Sequence, residues 1–281
     1  MTPAAGVVAA VVAAQAGGVA AFPGSTRAAG LAGAGAALVG DAGAIFANPA
    51  ALATVSRLAF DASYQRASAS DTVFYAAAVA TRLPRLDWGA GVEALAPSAA
   101  ARLASADLLA ASALVYRTGL VALGVTAKYA RQTIGGVADH AWAGDAGMAI
   151  AVFDILALGV SVQNIGGDFG GGVHLPRRTR AGFTMNYVDP QGTVRLLTTF
   201  EGQWPDRGSP FLVVGVEGGV VAHGVGLLAR AGYAGHSVAT SASPFALGGS
   251  VALGPLDVDY AYRDGTGGGG ATHRVGLRWH P

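Results

Sequence analysis

Leu120-Val121-Ala122-Leu123-Gly124-Val125-Thr126-Ala127-Lys128-Tyr129-Ala130 decides the fold. Val121, Leu123, Val125, Ala127 and Tyr129 fall on one face; Gly124, Thr126 and Lys128 fall on the other. Successive side chains of an extended strand point to opposite sides, so this stretch is a strand with one greasy and one polar face. The pattern recurs. Leu156, Leu158, Val160 and Val162 alternate with Gly159, Ser161 and Gln163. Leu256, Val258, Tyr260 and Tyr262 alternate with Asp257, Asp259 and Arg263, and Val275, Leu277 and Trp279 with Arg274, Gly276 and Arg278. About 14 such segments follow Ser56, each of roughly the 9–11 residues that cross a bilayer as a tilted strand. They span 57–66, 72–83, 86–95, 107–116, 120–131, 139–152, 154–164, 177–187, 193–203, 211–220, 224–234, 244–253, 255–263 and 271–280. Turn-forming sequences such as Arg117-Thr118-Gly119, Asp189-Pro190-Gln191-Gly192 and Gly254-Pro255 separate them. Short turns make neighbours antiparallel, and an even count starts and ends a barrel on one side.

Alternation alone also fits a soluble sandwich, whose outer face carries charge. Composition separates the two. Apolar residues make up 52% of the 281 and charged residues only 12%, about half the charge of an ordinary soluble domain. The polar faces hold mostly Gly, Ala, Ser and Thr, which suits a confined lumen. The greasy faces carry aromatics near strand ends: Tyr64, Tyr116, Tyr129, Tyr187, Trp204, Tyr233, Tyr262 and Trp279. Such rings form girdles at the two membrane interfaces. The expected fold is an all-β, antiparallel transmembrane β-barrel of 14 strands in a bacterial outer membrane, surrounded by its lipid. The net charge of +1 points to no nucleic-acid partner. With no cysteine, disulfides, thiolate metal sites and a cysteine nucleophile are excluded.

Val7 to Ala21 is an apolar, alanine-rich run, and Val19-Ala20-Ala21 precedes Phe22 as a small-residue cleavage pattern. This reads as a signal peptide over residues 1–21, although no Lys or Arg precedes the run; a plain alanine-rich leader is the alternative. Ser25 to Thr54 is Gly/Ala-rich, lacks alternation, and holds Asn48-Pro49-Ala50, where proline argues against a central strand. Residues 22–55 therefore form an N-terminal segment that belongs with the barrel of 56–281.

Thr26-Arg27-Ala28-Ala29-Gly30-Leu31-Ala32-Gly33-Ala34, then Asp41, then Asn48-Pro49-Ala50-Ala51-Leu52, resembles the N-terminal signature of the PorV/PorQ family, a short relative of the FadL-type barrels. Leu31-Ala32-Gly33-Ala34 stands where that family has Met-Gly-Gly-Ala, and Ala51 stands for a glycine. Gly144-Asp145-Ala146-Gly147, Asn164-Ile165-Gly166, Leu175-Pro176 with Arg180-Ala181-Gly182, and the hairpin from Asp259 to Leu277 continue the likeness in order and spacing. The resemblance implies a 14-stranded barrel with an N-terminal hatch inside the lumen, marked by Arg27, Gly33, Asp41, Asn48, Pro49 and Ala50. It implies one of two activities. A PorV-like barrel would be an accessory of type IX-like protein secretion, with a secretion-machinery or exported-protein partner. A FadL-like barrel would conduct hydrophobic small molecules. A structural envelope role is the third reading, because such families share a fold more securely than a function.

Catalysis and cofactors find little footing. The six histidines are scattered, with no metal-ligand spacing, and no Gly-x-Ser-x-Gly elbow occurs. Gly166 to Gly172 and Gly265 to Gly270 lack the following helix of a phosphate loop and read as hairpin loops. No enzyme activity, metal or cofactor is expected. The polar faces instead carry Lys128, Asp145, Glu201, Arg230, Asp257, Asp259, Arg274 and Arg278. On a terminal hairpin, Asp257 and Asp259 can meet Arg274 and Arg278. These charges are either a packed network neutralising a narrow lumen or a functional feature, a charge-lined path or a hatch-docking site, with Arg27 and Asp41 as candidate partners of the wall charges.

Overall fold

The computed structural model describes residues 20, 22–68, 72–97, 107–134, 137–152, 155–170, 173–188, 193–235, 242–265 and 270–281. The expected leader lies outside these residues except for Ala20. The strands are β1 (Leu58–Ala67), β2 (Thr72–Arg82), β3 (Leu86–Pro97), β4 (Asp107–Thr118), β5 (Val121–Ile134), β6 (Val137–Val152) and β7 (Leu156–Gly166). After a small hairpin, β8 (Asp168–Gly170) and β9 (Val173–His174), come β10 (Arg178–Val188), β11 (Val194–Pro205), β12 (Phe211–Ala222), β13 (Val225–Ala234), β14 (Ala242–Leu253), β15 (Leu256–Gly265) and β16 (Thr272–Trp279).

Among the described residues, 14 of these strands close an antiparallel barrel, and only β8–β9 stands apart. The seam is β1 against β16, in register from Phe60↔Trp279 to Ala67↔Thr272. Closure leaves no free edge, so every strand finds backbone partners on both sides without water. All 14 expected spans overlap a barrel strand. β5 and β6 run further than expected, pairing out to Ile134↔Val137.

Orientation follows the alternation. Leu123 and Val125 are 50% and 59% exposed, whereas Thr126 and Lys128 on the opposite face are 4% and 2% exposed. The greasy face therefore points outward. One end of the barrel has two-residue turns at Gly119–Leu120, His223–Gly224 and Gly254–Pro255, each with a positive-φ glycine. The other end carries the longer connections, including 98–106 and 167–177. Phe60, Trp88, Tyr116, Tyr187 and Trp279 ring the outer face near the short-turn end; Tyr64, Tyr75, Trp142, Trp204, Tyr233 and Phe245 ring it near the long-loop end. These are two interfacial girdles with an aliphatic band between them. Leu247, mid-strand in β14 and 56% exposed, tests that band. Leu247→Arg should destabilise the barrel in a bilayer by about 2–4 kcal/mol. Denaturant titration in lipid vesicles would detect it.

The N-terminal segment has less helix than its composition suggests. It contains α1 (Thr26–Gly30) and two short 3-10 turns, Ala42–Phe46 and Pro49–Thr54. Each begins at a polar cap, Ser25, Asp41 and Asn48 respectively. Glycines keep these pieces short: α1 stops where Gly33, at φ 90, donates its N–H back to Ala28 O at 2.8 Å.

Candidate functional site

The caps of the N-terminal segment also hold its pieces together. Asp41 Oδ1 accepts from Gly43 N at 2.9 Å while its Oδ2 accepts from Ser25 Oγ at 2.6 Å. Asn48 is fully buried; its Oδ1 accepts from Ala50 N at 3.1 Å and its Nδ2 donates to Ala36 O at 2.6 Å. The same Nδ2 reaches Met148 O of β6 at 3.2 Å. Pro49 starts its turn at the position where a missing N–H costs nothing. Nearly all of residues 24–55 is buried, and the contacts are with inward-facing residues of the wall.

Glycine makes that approach possible on two sides. Gly124 and Gly147 face each other on β5 and β6, with Gly159 nearby on β7. A Cβ on Gly124 would lie 2.5 Å from Ala50 N; one on Gly147 would overlap Asn48 Oδ1, and one on Gly159 would overlap Ala36 O. Further along β7, Ser161 Oγ donates to Ala47 O at 2.7 Å and Gln163 Nε2 donates to Phe46 O. The inner face of β7 thus binds the backbone of the segment. On the other wall, Gly215 and Gly232 face each other on β12 and β13 beneath Leu31, and Gly276 of β16 lies beneath Thr26.

The expected lumen charges come together, with partners the sequence did not reveal. Arg27 Nε and Nη2 grip Glu217 of β12 at 2.9 and 2.8 Å, and its Nη1 donates to Val39 O at 2.8 Å. Glu217 also accepts from Arg230, which bridges Asp259 at 2.7 Å. Asp259 binds Arg278 at 2.6 Å, and Arg278 reaches Asp257 at 2.7 Å. Glu201 accepts from the backbone N–H groups of Gly35 and Ala36, both at 2.7 Å, and pairs with Arg180 at 3.0 Å. Such two-point, charge-assisted bonds are the strong ones in a dry interior.

Arg274 departs from expectation. It pairs with neither Asp257 nor Asp259, because the ladder sets Asp257 opposite Arg278 but Arg274 opposite Ala261. Arg274 instead donates to Pro23 O at 2.6 Å and Ser63 Oγ at 2.7 Å, its guanidinium 4.9 Å over the Phe74 ring. Asp41 likewise serves as a cap and makes no ion pair with the wall among the described residues. Glu217, Arg180, Gln163 and Asn164 carry much of the network and were not singled out as site residues.

Lys128 and Asp145 form a third unit with Asn164, which adopts φ 57 at the end of β7. Lys128 Nζ lies 2.7 Å from Asp145 Oδ2 and donates to Asn164 Oδ1 at 3.0 Å. Asn164 N donates to Asp145 Oδ1, and Asn164 Nδ2 to Pro176 O, both at 2.8 Å. This clasp turns the following loop back toward the lumen, where Phe169 and Leu175 are buried with Leu109 and Phe74.

An open groove of about 650 Å³ lies on the other side of the wall. Outward-facing Ala62, Tyr64, Tyr75, Ala77, Val92 and Leu277 line it, on β16, β1, β2 and β3, toward the long-loop end. The wall behind it is thin, since inward-facing Ser63, Ala76 and Gly276 are also small. An apolar pocket beneath the hatch and a lateral gap between strands are the features a FadL-type conduit calls for. The groove described above lies on the outer face, and the strand pairs around it are continuous among the described residues.

No protein-family model matches the chain, and no curated protein matches it. Solved structures do. The Ralstonia pickettii toluene transporter TbuX matches with a TM-score of 0.62 at 13% identity, over 92% of this chain and 98% of that one. The CymD monoaromatic hydrocarbon channel gives 0.61 at 12%, over 90% and 95%. A Pseudomonas aeruginosa FadL homologue gives 0.59 at 11%, over 91% and 98%. The chain shares the fold of FadL-type barrels along nearly its whole length.

Proposed function

We propose that this chain is a non-enzymatic conduit by which hydrophobic small molecules cross a bacterial outer membrane, with the N-terminal segment as its hatch. The apolar groove on the lipid-facing wall carries the reading. It falls within the volume range of small-molecule sites, and almost all of its lining is apolar. It opens where membrane-dissolved molecules concentrate. Behind it, the wall is built of alanine, serine and glycine, and the N-terminal segment lies directly inside. That segment is held by hydrogen bonds and ion pairs, so it can be displaced without breaking a covalent bond. The fold shared with hydrocarbon transporters supports the same reading.

An export-partner barrel also calls for a closed lumen, and this lumen is closed. A conduit at rest needs the same closure, and the groove gives the conduit reading an observation that the partner reading lacks.

The test is uptake of radiolabelled toluene by cells producing the chain and by cells without it. Production should accelerate uptake, and Ala77→Trp, which fills the groove from the outer face, should return it to background. Equal uptake with and without the protein would refute the conduit.

A further inference from the structure

We propose that the short-turn rim from β1 to β4 is a docking surface for anionic phospholipid of the periplasmic leaflet, gripped by Arg57, Arg82 and Arg85. The proposal rests on the barrel alone and is independent of the conduit reading.

Four arginines meet there. Arg57 precedes β1 and Arg82 ends β2; the Arg82 N–H donates to the Arg57 carbonyl at 2.8 Å, so the two stand side by side. Arg85 lies in the Leu83-Pro84-Arg85 turn into β3, and Arg117 is near the end of β4. Among the described residues of this sector the one acid is Asp87, which is buried. Arg117 takes it, Nε to Oδ2 at 2.7 Å. Arg57, Arg82 and Arg85 are exposed and make no ion pair among the described residues. The sector therefore presents three guanidiniums without a counter-charge. The long-loop end mixes signs instead, with Asp107, Asp139 and Asp206 among its arginines.

Depth identifies what these charges meet. Short turns of such barrels face the periplasm. Phe60, Trp88 and Tyr116 form the girdle on these strands. Arg57 precedes Phe60 by three residues, which puts it about 7–8 Å nearer the periplasm along a strand rising 3.3–3.4 Å per residue and tilted 35–45°. The headgroup layer on each side of the hydrocarbon is about 5–7 Å thick, so the guanidiniums lie at the level of lipid phosphates. Leu83 and Leu86, each 44% exposed, flank Arg85. One turn thus offers apolar contact to acyl chains and cations to the headgroup.

The rim is also held in shape. Arg117 Nη2 donates to Leu83 O at 2.9 Å and fixes the turn, and Arg82 Nη2 donates to Ala53 O of the N-terminal segment at 2.7 Å. A guanidinium has five donors, so Arg82 keeps others for a ligand. Its planar fork matches two oxygens of a phosphate. A zwitterionic headgroup such as phosphatidylethanolamine brings a cation of its own toward three cations. A net-negative headgroup such as phosphatidylglycerol does not, and it is the class this surface selects.

The experiment places the full chain in nanodiscs of phosphatidylethanolamine with a minority of phosphatidylglycerol, and native mass spectrometry counts the lipids kept after transfer to detergent. Wild type should keep phosphatidylglycerol well above the bilayer ratio. Arg57→Gln/Arg85→Gln should lower that preference roughly 25-fold, about fivefold for each arginine at an anionic surface. Arg66→Gln, at an exposed position of the long-loop end, should leave it unchanged. Heat-modifiable mobility checks that each variant is folded; if the double variant is not, the single changes replace it, each expected at about fivefold. A wild type that keeps the two lipids at the bilayer ratio overturns the proposal. So does a preference that the folded variants retain, or one that Arg66→Gln removes equally. Polyglutamate binding to wild type and not to the double variant, with no lipid preference in either, would assign the rim to an acidic protein and overturn the lipid.

Discussion

Glu217→Leu is expected to cost about 3–5 kcal/mol of stability, the range for removing one partner of a buried ion pair. Glu217 is the single anion between two guanidiniums, Arg27 from the N-terminal segment and Arg230 from β13. All three side chains are more than nine-tenths buried. Without Glu217, Arg230 keeps Asp259, but Arg27 keeps only the Val39 carbonyl. Two like charges would then face each other away from water. Arg27→Met should be milder, about 1.5–3 kcal/mol, the range for a hydrogen bond to a charged group, because Glu217 retains Arg230. The pair of changes together should cost less than their sum, since they act on one contact. Denaturant titration of the refolded barrel gives the ranking. A Glu217→Leu effect within about 0.5 kcal/mol of wild type would place it with ordinary surface changes and refute the lock. Glu217→Leu, which keeps Arg27, should also expose the Arg27–Ala28 peptide bond to trypsin, since this contact holds the segment to the wall.

The barrel was legible because the bilayer reverses the usual rule in each strand. Leu123 and Val125 had to be greasy to face lipid, and Thr126 could be polar only because it faces the lumen. Asp257 and Arg278 were legible for a local reason: one short hairpin sets them opposite each other. Arg27 and Glu217 were not, being 190 residues apart and meeting only once the barrel has closed. Nothing in Val216-Glu217-Gly218 distinguishes a lock from any lone polar-face charge. The expected meeting of Arg274 with the hairpin aspartates fails for a related reason. Its strand and face were right, but the ladder register put Ala261 opposite it and the N-terminal segment within its reach. The groove had no sequence signal, because it depends on the seam between β1 and β16. Gly124 and Gly159 were visible as polar-face residues, yet their use appears only with the segment packed against them.

Gly159→Val should leave the barrel assembled and undock the N-terminal segment, which turns that last observation into the sharpest test of its proposed role as a hatch. Valine suits a strand, and replacing a mid-strand glycine removes an entropic penalty of about 0.5–1 kcal/mol, so the wall itself should not suffer. The obstacle is on the lumen side. The new Cβ would overlap the Ala36 carbonyl, a backbone atom, and would press on Asn48 Nδ2 at 3.0 Å. No rotamer change relieves a backbone collision, so the segment must lift. Lifting breaks the bond of Asn48 to Met148 and the bonds from Ser161 to Ala47 and from Gln163 to Phe46. Each buried group left unpaired costs about 1–3 kcal/mol, enough together to favour an open lumen. Gly218→Val is the control elsewhere in the wall, on β12, where a Cβ meets nothing closer than 3.7 Å. Both variants should keep the heat-modifiable mobility of a folded barrel. Gly159→Val alone should admit a small hydrophilic antibiotic that wild type excludes. If instead it remains sealed while still folded, the segment is not what closes the lumen, and the hatch assignment fails with it.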